Sequence, residues 1–363
     1  MADAGLDASN PSDAAIEGAR PITIGQGFKP GVAVDAAGTA YISWYGLETV
    51  ATSLHFCRLP RGARDCDLRT VIAAPGATLT RPFVGVSGSR VRVLSYRYGL
   101  TGDPFDAGYL YTSTDRGATF DPGQKIGSVP FNDAVPGPGD TVSLATDAYA
   151  FGEVFQNLAL AGSAPSLPFA PRAILSTDHP YGGTVGLVDA ATPLVAFADA
   201  KGNAQFRRYM RAGDPNQVTS WSAAQDIGHD AYMHLAGGPR GLFLIGRTAA
   251  STLEARRFDG ATFAPGVNIP EGTGELPQSH LFQNAAGRLH AVWPRIDADG
   301  IRLYHAVSDD GASWRSGIVL TSPDAIGTMR VATAPDHVGV TTWEGPDKAV
   351  RVIGVGPDAP AGN

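Results

Sequence analysis

Short runs in which large apolar residues alternate with small or polar ones recur along the whole chain, each bounded by Gly, Asn, Asp or Pro. A period of two predicts strands, and almost no stretch carries the 3.6-residue period of an amphipathic helix. Seven runs head a repeating group: GVAVD (31–35), PFVGV (82–86), TVSLA (141–145), TVGLV (184–188), AYMHL (231–235), SHLFQ (279–283) and TMRVA (328–332). Their starts lie about 43 to 59 residues apart, the spacing of stacked supersecondary units. Each head is followed by a second strand (TAYISW, VRVLSY, FGEVF, PLVAF, LFLIG, LHAVW, VGVTTW), a variable loop, a third strand and a short outer strand such as QKIG (124–127), QDIG (225–228) or VNIP (267–270).

The last group ends at VRVIGVG (350–356) without an outer strand, whereas PITIGQ (21–26) has the outer-strand pattern and precedes the first group. The prediction is an all-β, seven-bladed β-propeller closed by an N-terminal strand, which removes two sheet edges. It spans 21–357, with a disordered leader or linker at 1–20 and a short tail at 358–363. A six-bladed ring is the alternative, and TVSLA is then the misread head, because its group has the least defined outer strand.

Composition agrees with many turns: 45 glycines and 27 prolines are spread along the chain and only 17% of residues are charged. A formal net charge of −7, with no basic run, argues against a nucleic-acid partner. No apolar stretch reaches the roughly 20 residues of a membrane span. Cys57 and Cys66, the only cysteines, flank a Pro/Gly turn and read as a disulfide rather than as free thiols. That pairing places the protein outside the cytoplasm: extracellular, periplasmic or on the cell surface.

The most specific local motif is STDRGATF (113–120). It has the form S-x-D-x-G-x-T-F, in which Ser113, Asp115, Gly117 and Phe120 hold a turn between third and outer strands. VSDDGASW (307–314) repeats it with Asp309, Gly311 and Trp314, and FDGATF (258–263) and STDHPYGG (176–183) are shorter relatives. On these boxes the chain resembles the sialidase-type Asp-box (BNR repeat) propeller superfamily. The resemblance implies a structural role for the boxes, on the face opposite the binding mouth, and an alternative six-bladed, sialidase-like ring.

In a propeller the first strands begin at the mouth. Their starts offer Lys29, Arg81, Asp140, Tyr232, His280 and Arg330 as ligand-binding candidates, and three cations there suit an anionic group. Aromatics near the loop starts (Trp44, Tyr96, Trp293 and Trp343) are either sugar-stacking surfaces or packing between blades. The resemblance also supplies a test, because sialidases place an arginine in a Phe-Arg-Ile-Pro motif. Here the matching segment is Phe28-Lys29-Pro30-Gly31, and no spacing identifies Glu153 and Tyr232 as a nucleophile pair.

No nucleophile elbow, zinc-helix or phosphate-loop pattern is present, and no cofactor or metal site is expected, although IDADG (296–300) is shaped like a short oxygen-ligand loop. The leading expectation is a monomeric, exported propeller that binds a glycan or other extracellular polymer. Its rivals are a glycoside hydrolase or lyase using the same cavity, and a structural or protein-interaction scaffold.

Overall fold

The computed structural model describes residues 20–47, 53–72, 81–97, 107–126, 131–137, 141–148, 152–159, 173–177, 181–189, 191–199, 201–228, 232–274, 278–297, 300–322, 326, 329–333 and 339–355. Their strands form seven four-stranded antiparallel sheets, the blades of a seven-bladed β-propeller, and the only helical turn among them is Val218–Ser220. Six blades use four strands consecutive in sequence, as in blade 1: Phe28–Val34, Ala40–Tyr45, Leu54–Leu59 and Leu68–Ile72.

Blade 7 has three strands of its own, Met329–Thr333, Gly339–Glu344 and Ala349–Val355, and its outer strand is Ile22–Gln26 from the other end of the chain. Ile22 pairs with Val352 and Gln26 with Ala349. The Gly27 N–H continues the pairing to the Lys348 carbonyl at 2.7 Å, and the Trp44 indole N–H donates to the Gln26 carbonyl at 3.0 Å. The closure expected from PITIGQ is therefore present, and blade 1 is tied to it.

Blade 3 departs from the sequence expectation. TVSLA belongs to Thr141–Ala148, the second strand of its sheet; the inner strand is Asp133–Gly137, which pairs with it from Asp133↔Ala145 to Gly137↔Thr141. DAVPG carries a proline and a glycine and lacks a run of large apolar residues, so periodicity passes over it. Spacing held the clue: from the preceding inner strand at Phe83 and to the following one at Tyr181, a start at Asp133 leaves about 50 and 48 residues, in place of the uneven 59 and 43.

The core lies between blades rather than at one centre. Seven clusters of buried side chains each join two neighbouring blades, for example Tyr41, Tyr45 and Phe56 of blade 1 against Val84, Val91 and Tyr111 of blade 2. Phe282, Val292 and Leu303 of blade 6 likewise meet Met329, Trp343 and Ile353 of blade 7. Each fully buried large side chain contributes about 1.5–3 kcal/mol, so each of the seven contacts adds to the stability of the ring. Cys57 and Cys66 form a disulfide with Cα atoms 5.7 Å apart, joining the third strand of blade 1 to the turn that follows it.

Antiparallel order puts the turns between third and outer strands on the face opposite the inner-strand starts. In the first box the Ser113 hydroxyl donates to Asp115 Oδ1 at 2.7 Å and accepts the Gly117 N–H at 2.7 Å. Asp115 also accepts the Thr119 N–H at 2.9 Å and the Thr119 hydroxyl at 2.7 Å, which hold its carboxyl down at about 2. Gly117 has φ +89°, and a Cβ there would meet the Phe56 ring at 2.1 Å. Phe120 packs edge-on against the same ring at 5.1 Å.

The second box corrects the expected register. Ser308 and Asp310, not Val307 and Asp309, make the turn: Ser308 Oγ donates to Asp310 Oδ1 at 3.1 Å, and Asp310 accepts the Ala312 and Ser313 N–H groups at 2.8 Å. This loop is one residue shorter before its glycine, so the hydroxyl and carboxylate move down by one. Asp309 instead pairs with Arg288 at 2.7 Å, while Trp314 donates its indole N–H to the Gly311 carbonyl at 3.2 Å. STDHPYGG is also displaced from its expected place, because Ser176 ends the outer strand of blade 3 and Tyr181 begins the inner strand of blade 4.

Candidate functional site

A cavity of about 350 Å³ opens where the inner strands begin, and every blade contributes to it. Blades 1, 2 and 7 bring Lys29, Arg81 and Arg330; blade 3 brings Phe131 to Asp133; blade 4 brings Thr184; blades 5 and 6 bring Tyr232 to His234 and Gln278 to His280. Five sequence candidates therefore meet in one place: Lys29, Arg81, Tyr232, His280 and Arg330. Asp140 lies outside the described residues. Among the described residues the acid that lines the cavity is Asp133, which sequence reasoning missed together with its strand.

The mouth is knitted by hydrogen bonds that pass from blade to blade. Thr184 donates its hydroxyl to Asp133 Oδ2 at 2.7 Å and accepts the Leu235 N–H at 3.1 Å, so one side chain links blades 3, 4 and 5. Asp133 Oδ2 also accepts the Val185 N–H at 3.1 Å, and its Oδ1 accepts the Ala134 N–H at 3.0 Å. Gln278 Oε1 accepts the Met329 N–H at 3.0 Å, joining blade 6 to blade 7.

Two non-glycine residues here lie in the left-handed backbone region, Lys29 at φ +53° and Tyr232 at φ +74°. Each such conformation costs about 1–3 kcal/mol and persists only where the surroundings enforce it. At Lys29 the enforcing contact is its own N–H, which donates to Glu344 Oε2 at 2.9 Å. Tyr232 is 49% exposed, with the Arg247 guanidinium 5.3 Å above its ring.

The electrostatics of the lining are uneven. Arg330 lies 3.9 Å from Asp133, donates to the Asn132 carbonyl, and approaches His280 Nε2 at 3.5 Å. The Nε of Arg81 is buried and makes no hydrogen bond. Burial above all, and then the neighbouring Arg330, push its pKa well below that of an ordinary arginine, and burial and Arg81 lower that of Lys29.

The rings of His234 and His280 meet edge to face at 4.6 Å. Burial lowers both pKa values, His280 well below the usual imidazole range with His234, Arg330 and Arg81 adding to the effect. His234 Nδ1 accepts the Leu281 N–H at 3.3 Å, which puts the proton of that neutral ring on Nε2. Among its described residues the cavity thus gathers three cations, two uncharged imidazoles, one exposed phenol ring and one carboxylate already engaged by three donors.

The four strand-ending aromatics do not line this cavity. Trp44, Tyr96, Trp293 and Trp343 are 3%, 2%, 0% and 2% exposed and belong to the clusters between blades. His290 and His305 are likewise remote, hydrogen-bonded to each other at 3.0 Å and stacked. In IDADG, Asp297 is taken by Arg295 at 2.8 Å and Arg302 at 3.1 Å, leaving no free oxygen cluster among its described residues. No helix among the described residues is long and apolar enough to cross a membrane.

No known family model and no curated protein matches the sequence. In fold the chain is similar to a lectin from Burkholderia pseudomallei, at TM-score 0.59 and 12% identity over 92% of this chain and 97% of that one. It is similar also to an ulvan lyase of a polysaccharide lyase family, solved with a saccharide containing GlcA, at TM-score 0.56 and 13% identity over 93% and 94% of the two chains. An alpha-L-arabinanase from Penicillium chrysogenum matches at TM-score 0.51 and 13% identity over 93% and 97%. At these identities the likeness bears on the fold alone, and the seven blades are those of this structure itself.

Proposed function

We propose that this protein is an exported, Asp-box propeller that binds a glycan at the central mouth. The observation that carries the reading is the composition of the cavity: a strained, half-exposed tyrosine at the lip over a floor of fixed hydrogen-bonding groups, with cations on one side. A sugar presents a C–H face that stacks on an aromatic ring and hydroxyls that need fixed partners. A lectin, a lyase and an arabinanase among the fold neighbours support the carbohydrate class. The disulfide supports an oxidising compartment.

The rival hydrolase reading calls for two carboxylates about 5 to 10 Å apart at the mouth. Asp133 is the only carboxylate among the described lining residues, and its oxygens already accept three hydrogen bonds. That favours binding over two-acid hydrolysis. A plain interaction scaffold would plug its channel with apolar side chains, and these cations and imidazoles do not fit that description.

A glycan array, run beside a panel of chromogenic glycosides, tests the proposal. The wild type should retain at least one saccharide class without cleaving it. Tyr232→Asn, which keeps a residue tolerant of the left-handed backbone, should weaken that binding about tenfold. Turnover of a panel substrate, or binding that ignores Tyr232, would refute it.

A further inference from the structure

We infer that the saccharide bound at the mouth is an acidic one, whose carboxylate sits against Arg81 on the side of the cavity formed by blades 7, 1 and 2. The inference rests on the glycan reading above and adds the chemical class of the ligand.

Positive charge outweighs negative charge among the described residues of the mouth. Lys29, Arg81 and Arg330 lie on three successive blades, close enough for Arg330 to depress Arg81 and for Arg81 to depress Lys29. Among the described residues, two carboxylates lie within electrostatic reach of Arg81, and each is occupied elsewhere. Asp133 is held by the Thr184 hydroxyl and two backbone N–H groups and stands 3.9 Å from Arg330. Glu344 takes the Lys29 N–H on one oxygen and the Lys348 ammonium, at 3.2 Å, on the other. Neither makes a hydrogen bond to Arg81, whose Nε is buried without a partner.

A buried guanidinium Nε–H without an acceptor is costly, and native proteins leave few such donors unmet. The donor set defines what would relieve it: a planar fork matched to the two coplanar oxygens of a carboxylate, with Lys29 as a point charge beside it. Because His234 and His280 are uncharged, they add hydrogen-bonding capacity without competing for the anion. Tyr232, contributed by blade 5, offers an aromatic face to the ring that carries the carboxylate.

Calorimetry on the full chain with an oligogalacturonate, its methyl ester and a neutral galactose oligomer tests this, with sialyllactose and a sulfated neutral oligosaccharide as further arms. The acid should bind at least about tenfold more tightly than the ester, with an affinity that falls as salt rises. Arg81→Met should weaken acid binding about 10–100-fold while leaving the ester unaffected, and Arg81→Lys should fall between. Thermal melting of each variant verifies that it is folded.

Tight binding of sialyllactose with none of the uronate would still support a carboxylate seat, one that takes a different acidic sugar. Equal binding of acid and ester, or binding of the sulfated sugar alone, would overturn the carboxylate seat and leave the glycan reading standing. Stabilisation by acetate or chloride with no saccharide bound would overturn both.

Discussion

The two faces of this propeller treat charged side chains in opposite ways. On the face of the third-to-outer turns, Asp115 and Asp310 find their donors within a few residues, and these bonds lower both carboxyl pKa values. At the mouth, Arg81 finds no hydrogen bond although seven blades converge on it. A polar group satisfied by its own turn maintains the fold. The carboxylate seat proposed above assigns the unmet Nε of Arg81 to a ligand that arrives from outside.

Breaking the mouth where its polar groups do serve the fold should give the largest effect. Asp133→Ala removes the acceptor that joins blades 3 and 4 and strips Arg330 of its nearest counter-charge, and the loss should be about 3–5 kcal/mol by denaturant unfolding. A midpoint unchanged from wild type would mean that the inter-blade bonds at the mouth are not structural.

Acid should act next. His305 is buried and lowered to about 4, and burial lowers His234 and His280 in the same direction. The unfolded chain binds protons near 6.5 and the folded chain only lower, so these groups contribute stability that is complete above about 6.5 and drains as pH falls toward 4. For His305 the share is at most about 3 kcal/mol. His305→Phe should flatten that part of the stability profile, leaving the shares of His234 and His280; a profile as steep as wild type would count against a neutral His305.

The smallest effects sharpen the contrast most, because they differ in sign. Asp115→Ala should lower the melting temperature by roughly 2–4 °C, since a turn loses its donors' partner. Arg81→Met should raise it by roughly 2–4 °C in the absence of ligand, since an unmet buried cation is replaced by an apolar chain of similar length. Destabilisation by both would erase the distinction between the two faces.

How much of this was legible in the sequence varied with how local each device is. The closing strand was legible because PITIGQ and the truncated last group are each recognisable alone. The first box was legible because every donor to Asp115 lies within four residues of it. The second was displaced by one because deletion of a single residue before its glycine changes which hydroxyl reaches which carboxylate. The inner strand of blade 3 was not legible, since DAVPG becomes a strand through its pairing with Thr141–Ala148 rather than through its own pattern. With it went Asp133, the acid of the site.

The sequence by itself determined the seven-fold repeat, the closure of the ring, the disulfide and the cations at the inner-strand starts, because each is encoded by pattern or contact over a short stretch of chain. Only the tertiary structure decided which aromatics pack and which face the mouth, which histidines are neutral, and that the Arg81 Nε at the mouth makes no hydrogen bond. Those properties depend on burial and on charges contributed by separate blades, and the distances between blades appear in no single segment.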